Sequence, residues 1–239
     1  MKITSTEVKN SFGKYLRLCR TEPVYITKNG DVIAKLVDHE SNQEYGYERV
    51  NEAIVEYEVD RLKMSFDEFE KMNEESTIRL EYINGEVYML SAPGVSHQRI
   101  ISRLHVAFDR FLETSACDVF MSPFDVTLLN KQNKRNLVQP DLLVVCNWQD
   151  DTNEHDRYTG IPRLVVEVLS PGNTRKEMMT KLHLYMTSGI EEYWIVDPVV
   201  GDVIVYQFSD LNISQTKLFG IDDICSSFIY SDFSFKLKE

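Results

Sequence analysis

The sequence predicts an α/β body of mixed strands and helices preceded by a small α+β head, on three observations. From about residue 65 onward, apolar residues at helical spacing alternate with strand-like runs, as in a layered α/β unit. Two of those runs, Leu142-Leu143-Val144-Val145 and Leu164-Val165-Val166, are almost continuously apolar, as strands covered on both faces are. Charge is also unevenly spread. Residues 1–37 hold seven Lys or Arg against three acids, whereas residues 38–92 hold fifteen acids against five bases. The expected organisation is a basic head over residues 1–45, an acidic helical linker over 46–64 and the α/β body over 65–239.

In the head, Ser5 is placed to cap a helix running to about Arg20, with Val8, Phe12, Tyr15, Leu16 and Cys19 at helical spacing. PVYIT and DVIAKLV, joined through Asn29-Gly30, read as a hairpin closed by a type I′ turn. One helix and one hairpin bury too little to be stable over about 40 residues, so the head is expected to dimerise or dock. In the acidic stretch that follows, Ile54, Val55 and Val59 form a weak helical stripe. It reads as a solvated linker helix, the alternative being a segment that masks a basic surface or binds a partner.

In the body, SFDEFEKMNEE is a short helix capped by Ser65, and RLEYI and EVYML form a hairpin around Asn84-Gly85. The run VSHQRIISRLHVAFDRFLET sets Ile100, Ile101, Leu104, Phe108, Phe111 and Leu112 on one broad face and predicts a long helix. DVFMSPFDVTLL is extended, and DLLVVCN and RLVVEVLS are buried strands. NTRKEMMTKLHLYMTSG is a helix ending at Gly189, after which EEYWIVDP, DVIVYQF and later short segments are strands.

Composition excludes several classes. The N-terminus has no apolar signal-peptide core, and no apolar run approaches the roughly 20 residues that span a bilayer. Four widely spaced cysteines, Cys19, Cys117, Cys146 and Cys225, include no C-x-x-C pair; they read as buried thiols of a reducing cytoplasm. No glycine-rich phosphate loop and no H-E-x-x-H helix is present. The formal charge of −12 argues against coating nucleic acid by bulk attraction. It leaves room for a carboxylate cluster around a divalent ion.

The informative residues are charges inside apolar patterns. Asp141 follows Pro140 and opens one apolar run, and Glu167 sits inside Leu164-Val165-Val166-Glu167-Val168-Leu169. A buried unpaired carboxylate costs several kcal/mol, so each needs a cation, hydrogen-bond donors or an exposed strand end. Two on two strands have a joint explanation in one divalent ion with oxygen ligands. Lys181 borders the apolar stripe of Met178, Leu182 and Tyr185, where its ammonium can reach the carboxylates or a phosphate; a snorkelling lysine is the plainer reading.

Pro140-Asp141 followed one strand–loop–strand unit later by Glu167 resembles the metal-binding core of the PD-(D/E)XK nuclease superfamily, the restriction-endonuclease fold. RLEYINGEVYML, VQPDLLVVC, VVEVLSPGNTRKEMMTKLHLYMTSGIEEYWIVDP and DVIVYQF narrow the resemblance to its putative restriction endonuclease family, over roughly residues 65–210. The resemblance implies a restriction-endonuclease-like core, a mixed sheet flanked by helices, with Asp141 and Glu167 as metal ligands. The superfamily lysine normally stands two residues after the glutamate, where this chain has Leu169. In the family this chain resembles, the lysine has moved to the next helix, and Lys181 matches it, with Tyr185 one turn on. Glu81 and His97 match further polar positions. The first 40 residues resemble prevent-host-death antitoxins, which dimerise and bind operator DNA; the matching basic candidates for phosphate contact are Lys2, Lys9, Arg17 and Arg20.

The expected function is therefore that of a cytoplasmic, Mg²⁺-dependent DNA endonuclease, with Mn²⁺ able to substitute, assembled as a homodimer or higher homo-oligomer. Asp141 and Glu167 would bind the metal, Lys181 would stabilise developing charge or orient water, and Glu81 or His97 would hold a second metal or position the nucleophile. The competing expectation is a non-catalytic DNA-binding regulator of toxin–antitoxin type, with a toxin or antitoxin partner, whose nuclease-like body has lost its chemistry. Leu169 is its best support.

Overall fold

The computed structural model describes residues 1–10, 12–28, 30–37, 62–154, 156–170 and 175–237. Almost all of the acidic linker, and Asn29 of the predicted head turn, lie outside the described residues. Two compact units are distinguished, Met1–Asp60 with Thr174–Met179, and Arg61–Asn173 with Thr180–Glu239. Among the described residues no helix is long and apolar enough to cross a membrane.

In the first unit, strand β1 (Lys2–Thr4) is followed by helices α1 (Ser5–Asn10) and α2 (Phe12–Leu18) and by the hairpin of β2 (Val24–Lys28) and β3 (Asp31–Leu36). The sheet order is β1-β2-β3, with β1 parallel to β2. Three residues are too few to show a period, so β1 had no sequence signal; it is held where Tyr25 N donates to Met1 O at 2.8 Å and the terminal ammonium donates to Glu22 Oε2 at 2.9 Å. The helix start also differs from expectation. Thr4, not Ser5, exchanges hydrogen bonds with Glu7, whose backbone N–H donates to Thr4 Oγ1 while Thr4 N–H donates to its carboxylate. Ile3, Tyr15, Leu18, Cys19, Val24 and Ile26 make the small core, whereas Phe12 and Leu16 of the predicted stripe are about half exposed at 49% and 46%.

The second unit begins with α3 (Phe66–Glu75), whose start is fixed by the reciprocal Ser65–Glu68 capping box. β4 (Leu80–Ile83) and β5 (Glu86–Met89) are joined by Asn84 and Gly85 at φ of 53° and 91°. Those are the left-handed angles that a type I′ turn demands. Helix α4 (Val95–Leu112) follows. The predicted extended segment after it splits around Pro123 into β6 (Cys117–Met121) and β7 (Val126–Leu129), which enter different sheets. β8 (Arg135–Val138) is additional to the predicted strands. Then come β9 (Leu142–Cys146), β10 (Leu164–Val168), α5 (Arg175–Thr187), β11 (Glu192–Asp197), β12 (Asp202–Ser209), β13 (Asn212–Phe219) and the small pair β14 (Ile224–Ser226) and β15 (Ser234–Lys236).

The main sheet is mixed, in order β13-β12-β11-β10-β9-β6, with β10 and β11 parallel and the other pairs antiparallel. The four-stranded sheet β5-β4-β8-β7 is antiparallel. On β9 and β10 the even-numbered residues Leu142, Val144, Leu164, Val166 and Val168 join the core with Ile100, Ile101, Leu104, Phe108 and Leu112 of α4. Alternation therefore turns Glu167 to the opposite face of the sheet. Val166 pairs with Leu142, so one residue further along the register Asp141 stands opposite Glu167.

The cysteine reading needs correction. Cys117 and Cys146 are direct partners across β6 and β9 and form a disulfide; Cys19 and Cys225 are buried thiols. A separation of 29 residues in sequence carries no trace of that register. The cysteines accordingly no longer argue for a reducing compartment.

Candidate active site

Asp141 enters β9 behind Pro140, with its backbone carbonyl accepting from Ser122 N at 3.1 Å. Its Oδ2 accepts from Val168 N at 2.8 Å and from His97 Nε2 at 3.1 Å, so the neighbouring strand and the first turn of α4 both fix the carboxylate. The other ring nitrogen of His97, Nδ1, is buried without a hydrogen-bond partner among the described residues.

Glu167 projects from β10 toward α5. Its Oε1 accepts from Lys181 Nζ at 2.8 Å and from Tyr185 OH at 2.6 Å. Residues 181 and 185 are one helical turn apart, which puts both donors on the same face. Lys181 Nζ also donates to Glu81 Oε1 at 2.9 Å, and that oxygen accepts from Gln139 N at 2.8 Å. Glu81 comes from β4, in the smaller sheet, and its side chain is 2% exposed. The site thus lies where two sheets and two helices of the second unit meet, and Lys181 bridges a carboxylate from each sheet.

Burial first, and then the neighbouring charges, set the electrostatics. Burial pushes the Glu167 carboxyl up to about 7, with repulsion from Asp141 and Glu81 adding to it and Lys181 working against it. Burial disfavours the charged form of Lys181, but Glu167 and Glu81 outweigh it and hold the ammonium charged. The Tyr185 phenol is raised well above its ordinary value by burial and then by the Glu167 charge, so it stays a hydrogen-bond donor. For His97, burial disfavours the charged ring, yet the hydrogen bond to Asp141 and that carboxylate's charge bring the net shift upward.

The donor set suits a hard divalent cation, since it offers carboxylate oxygens that repel one another in a buried setting. Among the described residues no three acidic, His or Cys side chains converge as they stand on a common ion position. The ammonium of Lys181 holds Glu81 and Glu167 instead. Asp141 and Glu167, opposite each other across β9 and β10, each keep a second oxygen outside the hydrogen bonds just described.

The structure brings together six residues singled out in the sequence: Glu81, His97, Asp141, Glu167, Lys181 and Tyr185. Leu169, at the usual lysine position, donates its backbone N–H to Val196 O at 2.8 Å, as an interior strand end does. Sequence reasoning passed over Gln139, two residues before Asp141, because an amide at a loop position breaks no apolar pattern. In the first unit Lys2, Arg17 and Arg20 are exposed, and the Lys9 side chain lies outside the described residues.

A mixed sheet carrying acids on adjacent strands, with a lysine and a tyrosine supplied by the next helix, has the construction of a nuclease-like fold. The model of the Uma2 family, described as "Putative restriction endonuclease", matches residues 66–225, more than half of the chain, and the chain belongs to that family. An uncharacterized protein of Synechocystis sp. is 27% identical over 149 residues, which cover 62% of this chain and 76% of the relative. Among solved structures, a putative nuclease belonging to DUF820 from Anabaena variabilis shares the fold with a TM-score of 0.60 and 19% identity, covering 73% of this chain and 95% of that one.

Proposed function

We propose that this protein is a metal-dependent endonuclease that hydrolyses phosphodiester bonds in DNA. The observation that carries the reading is Lys181, a buried ammonium gripping carboxylates from two sheets beside Asp141. Asp141 and Glu167 would hold a Mg²⁺ or Mn²⁺ ion, which polarises a phosphoryl oxygen and lowers the pKa of water when bound. Val168 N and His97 keep Asp141 oriented, and Tyr185 does the same for Glu167. Lys181, held protonated by its neighbours, provides positive charge where negative charge develops on the phosphoryl oxygens. Glu81 fixes Lys181 and is itself fixed by Gln139 N. In this reading the head dimerises and brings Lys2, Arg17 and Arg20 to DNA phosphates.

The test is conversion of supercoiled DNA to nicked and linear forms with Mg²⁺ or Mn²⁺, repeated with Asp141→Ala and Glu167→Ala. Each substitution is expected to lower the rate about a hundredfold or more. Nicking that persists in both variants refutes the assignment.

A second reading, a DNA-binding regulator with a silent nuclease-like body and a toxin or antitoxin partner, is favoured by Leu169 and by carboxylates held on Lys181 rather than on a common ion position. It predicts no heat of Mn²⁺ binding at Asp141 and Glu167, whereas the nuclease reading predicts heat that Asp141→Ala removes.

A further inference from the structure

A phosphodiester strand approaching Glu81, Asp141 and Glu167 is repelled unless cations stand beside them, and the chain as a whole, at −12, offers no general attraction. Two arginines stand in a polar row joined to the site. Gln139, whose backbone N–H donates to Glu81 Oε1, accepts at its own Oε1 from Arg79 Nε at 2.7 Å. Its Nε2 donates to Asp125 Oδ1 at 2.8 Å, and Asp125 Oδ2 faces Arg157 Nη1 at 3.4 Å. Arg79 Nη2 donates to the Ser122 hydroxyl, and Ser122 N donates to the carbonyl of Asp141 at 3.1 Å. The row Arg79–Gln139–Asp125–Arg157 is thus tied by backbone hydrogen bonds to the positions of two carboxylates.

The two guanidinium groups differ in freedom. Arg79 is half-buried and locked at Nε and Nη2, whereas the Arg157 side chain is 66% exposed and held by one long ion pair. An exposed pair of that kind contributes little to stability. The arrangement is better accounted for by the donors it leaves over, the remaining Nη N–H groups of a fixed Arg79 and the mobile guanidinium of Arg157, which suit the oxygens of a phosphate.

We propose that Arg79 and Arg157 grip backbone phosphates of the substrate strand next to the scissile bond, with Gln139 and Asp125 setting their orientation. The ligand is a phosphodiester chain, DNA or RNA, and the arginines are binding residues rather than catalytic ones. The proposal rests on the nuclease reading and names the surface by which that site would take its substrate.

The experiment uses the full chain in EDTA and follows the anisotropy of fluorescein-labelled duplex DNA, and separately of single-stranded RNA, over about 50–200 mM salt. Arg79→Gln and Arg157→Gln are each expected to reduce the slope of log affinity against log salt by about 0.9 on duplex or about 0.7 on a single strand. Arg79→Lys, which keeps the cation, restores the slope. Arg135→Gln, an exposed arginine paired with Asp67 and Glu70, leaves it unchanged. In the nicking assay with metal, Arg157→Gln raises KM more than it lowers kcat. Wild-type slopes and KM in both glutamine variants, or a loss shared equally by Arg135→Gln, overturn the arginine assignment while the nuclease reading stands. A wild-type protein that neither binds nor nicks any of these nucleic acids overturns both.

Discussion

Replacing Lys181 by methionine removes the ammonium that Glu81 and Glu167 share while keeping most of the side-chain volume. Removing one partner of a buried ion pair costs about 3–5 kcal/mol, because the remaining charge is left desolvated. The loss is capped by proton uptake. Taking a carboxyl from an ordinary value of 4.5 to one neutral near pH 7.5 costs about 4 kcal/mol, at about 1.4 kcal/mol per pH unit. Glu167 is already pushed up to about 7 in the intact protein, so most of that cost is present before the substitution, and the new loss falls mainly on Glu81, a buried carboxylate left without its partner. The expected destabilisation of Lys181→Met near pH 7.5 is therefore at the lower end of the buried-pair range, about 3 kcal/mol. Its pH dependence has a definite sign. A carboxyl whose folded pKa is raised above its unfolded value destabilises the fold above the unfolded value, and that penalty fades as pH falls through the folded pKa toward 4.5. The deficit should shrink steadily below about pH 7 and be under about 1 kcal/mol near pH 5. Urea unfolding in EDTA, followed by the fluorescence of fully buried Trp194, measures it. Adding Glu167→Gln to Lys181→Met should recover about 2 kcal/mol, which a double-mutant cycle isolates. A deficit below about 1 kcal/mol near pH 7.5, or one that grows on acidification, would mean that Lys181 does not neutralise buried charge.

Other parts of the fold give separable predictions. Phe108 is fully buried, stacked on Phe233 at 3.9 Å and edge-on to Trp194, so Phe108→Ala should cost about 3–5 kcal/mol in the same unfolding assay; a loss below about 1 kcal/mol would show that α4 is not seated on the sheet as described. Glu192, fully buried, accepts from Trp194 Nε1 and from the backbone N–H groups of Phe228 and Ile229. Glu192→Ala leaves these donors unsatisfied and should cost about 3 kcal/mol or more, with faster proteolysis of the segment after residue 219. Unchanged proteolysis would show that this carboxylate does not hold the C-terminal strands.

The division of labour between sequence and tertiary structure can be read off single residues. The body's helices and interior strands were legible because burial imposes a period: the stripe of α4, the unbroken apolar runs of β9 and β10 and the Asn84-Gly85 turn all declare themselves locally. Asp141, Glu167 and Lys181 were legible for the complementary reason, since a charge interrupting such a pattern must be compensated by something in space. What compensates it was legible only in part: Lys181 was expected to reach the carboxylates. That it grips Glu167 together with Glu81 of a second sheet, not with Asp141, and that Cys117 meets Cys146 across two strands are matters of sheet order and register. The short strands β1 and β8 left no periodic trace, and Phe12 and Leu16 fit a helical stripe yet face outward, because in the head Tyr15, Leu18 and Cys19 already fill the small core. Gln139 and the arginines beside it were invisible because polar residues in loops violate nothing until their neighbours are known. Sequence by itself determined which residues must be buried and which charges needed an answer. Only the tertiary structure decided the answers, because hydrogen bonds and ion pairs between residues 60 or 100 positions apart follow from how the sheets are ordered, and local periodicity does not encode that order.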